Sequence, residues 1–476
     1  MTSLHLTLLH TNDLHGRVNQ LTRIGTLVRS IRQEVELKEG YCLYVDAGDC
    51  EDSILLESAL TKGSAMDAIL RGAGCDQVVL GNAIPFRYGI QAIAGLAERF
   101  GKPILCANMQ WKDGSIPEGI EPYVIEDLNG FKLGIIGLTA PIDAYQPFNV
   151  SVQPPREIAP GLIEQLKNEG ARFIILLSHL GKKYDLELVE VVDGIDIIIG
   201  GHSHDRISPP LLVNNTVIVQ AGQYGEVLGR LDLEIDRDSG DVLSHRAELI
   251  RVDEELLEDS VVLSVVEQEK QRAKRIMDIE IGCLRNNIDC LEGKESDAGN
   301  LLADALLSCY PDGQVAFVMG EHWEEGLKAG ILTKGTLFSV NRSTGNPGII
   351  KVTGKQLEQF FLAALNPENI NKRTPQMRGR MNGVPHVAGM RIIAHGHDPD
   401  SVELILGDWI IHPDEIVTIV TSDFEISEIF NYLPLPDEQV DYDIPTILPE
   451  VLEKYIRQHS PIGVIEGNRI NFLDQE

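Results

Sequence analysis

Short apolar runs alternate with helix-like stretches over about the first 250 residues of the chain. These runs are LHLTLLH, YCLYVDAG, QVVLG, PILCANM, FKLGIIGLT, ARFIILLSH, IDIIIGGH and TVIVQAG. Near-continuous apolar runs of this length are typical of strands that are buried on both faces of a sheet. Strands that alternate with helices favour an α/β arrangement. The pattern therefore predicts an α/β domain built around a buried sheet.

The pattern changes after this region, and 476 residues are too many for one ordinary domain. A charged helical stretch at about 254–277 is predicted to bridge two domains. The rest of the chain alternates less regularly and predicts a mixed fold of helices and strands. We expect helices near 300–309 and 354–364, strands near 387–394 and 416–420, and a long loop at 366–386, which is rich in Asn, Arg, Pro and Gly.

The composition excludes several classes of partner. A formal net charge of −31 argues against a general nucleic-acid binder or a binder of anionic membranes. It does not exclude a small phosphorylated substrate, because bound divalent cations can reverse the sign of the local field. No apolar run is long enough to span a membrane, and the N-terminal segment has no signal-like core. Seven scattered cysteines fit reduced thiols, so we expect a cytoplasmic protein.

Polar side chains follow several of the apolar runs, and ligands of open α/β sheets bind beyond the carboxyl ends of strands. Singly, each residue is an ordinary turn former or surface residue. Together they lie in five segments, each with a glycine within two positions, and imidazole mixed with carboxylate suits Zn, Mn or Fe. Two pairs of residues, Asp13/His15 and His202/His204, are spaced two positions apart, and each pair is expected to face one centre from extended backbone. The predicted set is Asp13, His15, Asp49, Asn82, His179, His202 and His204, with Asp46 as a supporting or structural carboxylate.

The segments LLHTNDLHG, DAGD, GN, SHLG and GGHSH resemble, in this order, those of the calcineurin-type metallophosphoesterases. More narrowly, they resemble the bacterial family of 5′-nucleotidases, UDP-sugar hydrolases and 2′,3′-cyclic phosphodiesterases. ESDAGNLLADALL and HVAGMRI extend the likeness more weakly towards the C-terminus. The resemblance implies an αββα-sandwich metallophosphoesterase domain at 1–251, a linker helix at 252–283 and an α+β C-terminal 5′-nucleotidase-type substrate domain at 284–476.

The same resemblance implies two divalent transition-metal ions. A hydroxide that bridges them would attack phosphorus in line with the leaving oxygen. Asp49 would bind both ions and bridge them. The first ion would be held by Asp13, His15, Asp49 and His204, and the second by Asp49, Asn82, His179 and His202.

The chain departs from the family beside Asn82. The family has Gly-Asn-His-Glu-Phe-Asp, whereas this chain has Ala83 in place of the His and Phe86 in place of the Asp. Neither side chain can move a proton, and losing a general acid costs roughly 10²–10⁴-fold in rate. We therefore assign no catalytic residue. Arg87 and Tyr88 lie nearby and could supply charge or a proton, and His322 is a weaker candidate.

The C-terminal part departs as well. The family's Asn-x-Gly-x-Ile-Arg segment corresponds to AFVMGEHWEEG, and its Gly-Gly-Asp motif to SEIFNYL. Of the two aromatic residues between which the family stacks a nucleobase, one matches Phe424 and the other falls at Val384. Phe424 is predicted to bind substrate, with plain core packing as the alternative. Base recognition should be weaker or different.

Two functions follow as expectations. The first is dinuclear metal-dependent hydrolysis of phosphate esters or anhydrides of small molecules, such as nucleotides in nucleotide catabolism. The alternative is a catalytically impaired metal- and nucleotide-binding or sensor protein. The complete ligand set favours the first function, and the missing His and Asp favour the second. The substrate, the metal and the oligomeric state stay open.

Overall fold

The computed structural model describes residues 3–51, 55–142, 145, 148–373, 381–396, 399–426 and 440–473. The chain divides into two compact units, residues 1–273 and 274–476. The stretch predicted as a linker contains a helix at Ser260–Met277. The boundaries of that linker as a separate segment remain a prediction.

The first unit contains two main β-sheets, and each of the eight predicted runs contains a strand. One sheet has the order Val242–Arg251, Val227–Asp236, Ser3–Thr11, Tyr41–Asp46 and Gln77–Val78. The other has the order Leu211–Val213, Thr216–Val219, Ile197–Gly200, Phe173–His179, Phe131–Thr139 and Tyr123–Leu128. Two small ladders pair Ile104–Leu105 with Ile120–Glu121 and Met109–Trp111 with Val150–Val152.

The two main sheets enclose one apolar core and carry helices on their outer faces. Leu8 and Val45 from one sheet meet Ile175 and Ile199 from the other, and all four side chains are fully buried. Separate clusters pack helices on the outer faces. This is the predicted αββα sandwich. Its helices are Val18–Glu36, Leu56–Leu60, Ser64–Gly72, Ala83–Tyr88, Ala92–Phe100, Pro155–Asn168, Lys182–Val189 and the start of Ser260–Met277.

The direction of the strands positions the site. Ser3–Thr11, Tyr41–Asp46 and Gln77–Val78 run parallel, and so do Phe173–His179 and Ile197–Gly200. The carboxyl ends of parallel neighbours lie at the same edge of their sheet, so the loops that follow them are brought together.

The second unit is α+β, as predicted. One sheet has the order Pro385–Ala388, Val315–Met319, Ile416–Ser422, Pro347–Thr353 and Asp441–Tyr442, and another has the order Trp409–Ile410, Ser401–Leu406, Met390–His395 and Ile470–Leu473. Glu280–Leu284 pairs with Gly330–Thr333. The helices are Asp297–Cys309, Lys334–Val340, Gly354–Ala364, Pro367–Ile370, Asp423–Ile426 and Leu448–His459, with a 3₁₀ turn at Gly320–His322.

Two local predictions in this unit were wrong. The strand expected at 387–394 is two strands, because Gly389 adopts a left-handed φ of 80° between them. The loop expected at 366–386 contains a short helix, Pro367–Ile370, and ends in a strand. The helix begins there because the Asn366 side chain accepts a hydrogen bond from the Glu368 nitrogen and proline occupies the first helical position.

The seven cysteines are all free thiols. In the described part of the chain, none of the helices combines the length and the apolar character that a bilayer span requires.

Candidate metal centre

The loops at one edge of the first unit bring the predicted ligands together. Strand Ser3–Thr11 leads into Asp13 and His15, and strand Tyr41–Asp46 leads into Asp49. Asn82 follows strand Gln77–Val78, and His179 ends its own strand. His202 and His204 follow Ile197–Gly200.

Asp13, His15 and His204 form the first group. Their ligand atoms all lie within 4.8 Å of one another. The Nε2 atoms of His15 and His204 are 3.3 Å apart. Asp13 Oδ1 lies 3.2 Å from His204 Nε2 and 3.8 Å from His15 Nε2. Two imidazole nitrogens and one carboxylate oxygen therefore converge on one small volume.

Asp49 and His179 form the second group, with Asp13 again within reach. His179 Nε2 lies 3.4 Å from Asp49 Oδ2 and 3.1 Å from Asn82 Oδ1. The ring centroids of His179 and His202 are 5.1 Å apart. All seven predicted ligands thus belong to one connected cluster, in which Asp13 takes part in both groups.

The backbone of these residues differs from the expectation of extended pairs. Asp13 and His15 have φ values of 51° and 44°, and His202 and His204 have values of 69° and 57°. Asp49 is also left-handed, with φ at 54°. Such conformations cost on the order of 1–3 kcal/mol each in non-glycine residues and concentrate at functional sites. The i, i+2 spacing brings Asp13 and His15 into one group, whereas His202 and His204 lie in different groups. Left-handed backbone, and not an extended strand, sets the directions of these side chains.

One carboxylate oxygen in the cluster lacks a hydrogen-bond partner of good geometry, and three side chains have shifted pKa values. Asp13 Oδ1 is buried and accepts no hydrogen bond of good geometry among the described residues. Burial opposes a charged His179, but the Asp49 carboxylate raises its pKa to about 9. In turn, although burial acts against it, His179 holds the pKa of Asp49 well below its usual range. The neighbouring Asp13 carboxylate raises the pKa of His204. Divalent cations fit this donor set, because they would bind the unpaired carboxylate and imidazole lone pairs and would offset the negative charge of the carboxylates.

Two supporting residues complete the geometry. Asn12, which the sequence interpretation missed, donates from Nδ2 to Asp13 Oδ2 at 2.7 Å, and its Oδ1 accepts from the Ala221 nitrogen at 2.9 Å. Its position within the HTND segment was the available signal. Asp46 accepts from Thr11 Oγ1 at 2.5 Å and from the Gly48 nitrogen at 3.0 Å, so it ties two strand ends together.

At residue 83, where the family has His, only the backbone contacts the cluster among the interactions of the described residues. The Ala83 nitrogen donates to Asp49 Oδ1 at 2.9 Å, and this bond does not depend on the side chain. Phe86 lies in an aromatic group, 4.6 Å from the Tyr145 ring and 6.1 Å from the Phe148 ring between centroids. Tyr88, one of the alternative proton donors, is buried in the core of this unit.

Phe424 lies beside a buried polar network in the second unit. His322 is 1% exposed; its Nε2 lies 2.7 Å from Glu425 Oε1 and its Nδ1 lies 2.8 Å from Ser343 Oγ. The Phe424 ring is 6.0 Å from the His322 ring between centroids and remains partly exposed. His322 is thus committed to a buried network, which argues against its use as a free proton donor. The SEIFNYL segment, residues 427–433, lies outside the described residues.

Val384 lines a cavity of about 370 Å³ in the same unit. Gly320, Gly383 and Trp323 line it as well, and the Trp323 indole is the aromatic ring among its described lining residues. The sequence pattern could not identify Trp323, because only the fold brings Trp323 and Val384 together.

No family profile matches the chain. The chain is 26% identical over 475 residues to a trifunctional nucleotide phosphoesterase of Bacillus subtilis, with 88% of this chain covered. It spans only 31% of that relative's length. It is also 26% identical to an uncharacterized metallophosphoesterase of the same species, over 81% of this chain and 84% of the relative. A snake venom 5′-nucleotidase of Gloydius brevicauda is 29% identical, over 64% of this chain and 58% of that protein.

Solved structures share the two-domain fold. A Haemophilus influenzae NAD nucleotidase superposes with a TM-score of 0.61 at 17% identity, covering 100% of both chains. A Thermus thermophilus 5′-nucleotidase precursor gives a TM-score of 0.54 at 23% identity, covering 99% of this chain and 100% of its own. At these identities, the likeness supports the fold and not a shared substrate.

Gly81 allows the chain to approach Asp49 closely, and its replacement should disrupt the centre. A Cβ at this position would lie 2.0 Å from Asp49 Oδ1 and 2.4 Å from the Asp49 nitrogen. Gly81→Ala should therefore displace the Asp49 carboxylate and lower bound metal, as measured by elemental analysis of the purified protein. Gly95→Ala is the matched control, because nothing lies within 4 Å of its added Cβ. Full metal content in Gly81→Ala would show that the position of Asp49 does not depend on this contact.

Proposed function

We propose that the chain hydrolyses phosphate esters or anhydrides of small molecules with the help of two divalent cations. The chain is a distant member of the 5′-nucleotidase and metallophosphoesterase family, at about 26% identity over most of its length. The observation that carries the proposal is the convergence of Asp13, His15, His204, Asp49 and His179 at one edge of the first unit. Such a set of carboxylate and imidazole donors suits Zn, Mn or Fe.

The ligands divide into two proposed sites. Asp13, His15 and His204 would hold one ion, and His179, Asn82 and His202 the other. Asp49 is proposed as the shared ligand from the family resemblance, although the described distances place Asp13 in both groups. When bound, a pair of such ions acidifies water and neutralises charge on the phosphoryl oxygens. The chain's own part is to fix the ligands. Asn12 orients Asp13, and the Ala83 nitrogen orients Asp49.

The substrate preference follows from Ala83 and Phe86. A nucleoside 5′-monophosphate expels a sugar alkoxide, which is strongly basic and needs protonation or charge stabilisation. An anhydride expels a phosphate, and an aryl diester expels a phenolate, so both need less help. Because the His and Asp of the family are absent, the proposed substrates are anhydrides or activated diesters, including those of nucleotides.

A metal- and nucleotide-binding sensor without turnover is the second candidate. The packing of Phe86 against Tyr145 favours it, because this apolar contact lies where the family has an ionisable residue. Hydrolysis of an aryl phosphodiester by the Mn²⁺-loaded protein would support the enzyme, whereas full metal content without turnover would support the sensor.

The metal assignment predicts different losses for different ligands. Asp49→Ala should lower bound metal at both sites, because it removes the shared carboxylate. His204→Ala and Asn82→Ala should each remove about one equivalent and leave the other. Elemental analysis measures this, and His5→Ala, on an exposed histidine of the first strand, is the control. Two full equivalents in Asp49→Ala would contradict the shared role of this residue.

The absent His predicts a measurable preference among substrates. The wild type should have a higher kcat/KM for a nucleotide sugar and for an aryl phosphodiester than for AMP. Ala83→His alone should restore little AMP hydrolysis, because Phe86 supplies no carboxylate to orient the new imidazole. Ala83→His/Phe86→Asp should raise it further, by up to roughly 10²-fold. If the wild type hydrolyses AMP as fast as the anhydride, another group replaces the His, and Arg87 is then the first to test.

We propose Phe424 as a platform for the nucleobase, since its ring is partly exposed and is backed by His322. Stacking contributes about 1–3 kcal/mol per base. Phe424→Leu should therefore weaken binding of a nucleotide by roughly 5–150-fold while leaving the affinity for inorganic phosphate unchanged, as measured by calorimetry. Phe472→Leu, on a 40% exposed ring in the same unit, is the matched control. Unchanged nucleotide affinity in Phe424→Leu would assign this ring to packing.

A further inference from the structure

Arg17 and Tyr224 form a stacked pair beside the first group of metal ligands. The Arg17 guanidinium carbon lies 4.5 Å from the centre of the Tyr224 ring. The same ring packs edge to face on His15, with centroids 5.9 Å apart, and lies 6.3 Å from the His204 ring. The Tyr224 ring therefore lies against His15 and His204, two of the proposed metal ligands, and against the exposed Arg17 guanidinium.

The position of the Tyr224 ring is fixed by the backbone of the cluster. The Tyr224 nitrogen donates to the Asp13 carbonyl oxygen at 2.8 Å, and Tyr224 has a left-handed φ of 60°. Glycines on both sides of it, Gly222 and Gly225, are left-handed too. The Arg17 side chain thus rests on a support that is connected directly to Asp13.

Arg17 forms no ion pair with the described residues. Among the described residues, no carboxylate lies within ion-pair distance of its guanidinium, although the chain has 72 acidic residues for 41 Lys and Arg. Arg17 is also the residue that precedes helix Val18–Glu36, whose first turn has neither an acidic side chain nor a side-chain cap. The positive end of this 19-residue helix dipole and the guanidinium therefore reinforce each other at the same place.

We propose that Arg17, positioned by Tyr224, binds the second phosphate of anhydride substrates, while the cluster of Asp13, His15 and His204 serves the phosphate that is attacked. This rests on the proposed hydrolase function and specifies its substrate class. A guanidinium presents several donors in a planar fork and binds phosphate oxygens strongly, and stacking on a ring fixes its orientation before the ligand arrives. A substrate with one phosphate would leave this group unused.

Binding of two inorganic probes to the full-length, Mn²⁺-loaded protein tests the proposal without turnover. Methylenediphosphonate carries two phosphonate groups that cannot be hydrolysed apart, and inorganic phosphate carries one. Calorimetry at a fixed free Mn²⁺ concentration gives Kd for each probe. Arg17→Gln should raise Kd about tenfold or more for the diphosphonate and less than threefold for phosphate, because a charged hydrogen bond is lost from only one complex.

Further variants separate this role from plain packing. Arg17→Lys should keep part of the affinity, and Tyr224→Leu should cause a smaller selective loss that Tyr224→Phe, which keeps the ring, does not. Arg246→Gln, on a solvent-exposed arginine of strand Val242–Arg251, should change neither Kd. Metal content is measured for every variant. Equal losses for both probes, or no loss for the diphosphonate, would overturn the proposal. A wild type that binds both probes but hydrolyses no ester or anhydride would contradict only the proposed hydrolase.

Discussion

The burial of two carboxylates, Asp13 and Asp49, is the constraint on which the first unit depends. Their side chains are 0% and 6% exposed, and an uncompensated buried carboxylate costs several kcal/mol. Backbone donors meet part of this cost, because the His202 nitrogen donates to Asp13 and the Ala83 nitrogen donates to Asp49. These donors come from different strand ends, so the strand order, the left-handed turns and the close approach at Gly81 all serve to bring them within reach.

Much of this arrangement could be predicted from the sequence because it depends on periodicity and on position at strand ends. A buried parallel strand leaves a clear apolar run, and the residue after it must lie at the sheet edge. The turn conformation could not be predicted, since i, i+2 spacing fits both extended and left-handed backbone at Asp13 and His15. Asn12 was missed for a different reason: its role depends on Ala221, about two hundred residues away. The same holds for Trp323, which reaches the cavity beside Val384 only through the fold of the second unit.

The loss of the family's His and the survival of the ligand cluster are compatible because they use different atoms. Asp49 is held by the nitrogen of residue 83, which every residue except proline provides, so Ala83 retains the contact that orients the ligand. Phe86 then fits its surroundings, because Tyr145 and Phe148 offer aromatic faces and no charge. An imidazole at 83 would have no carboxylate at 86 to orient it. The two replacements are therefore linked, because together they exchange the polar His–Asp pair of the family for the apolar residues Ala83 and Phe86.

The charges at the centre also impose an order on binding. Without cations, the buried carboxylates dominate the local field strongly enough to raise the pKa of His179 to about 9, although its burial acts in the opposite direction. A phosphate would meet repulsion from this field and from a chain with a net charge of −31. Bound divalent cations reverse the sign at short range, where screening by salt is weak. In the proposed function, metal would therefore bind before an anionic substrate, and affinity for phosphate would be a property of the metal-loaded form.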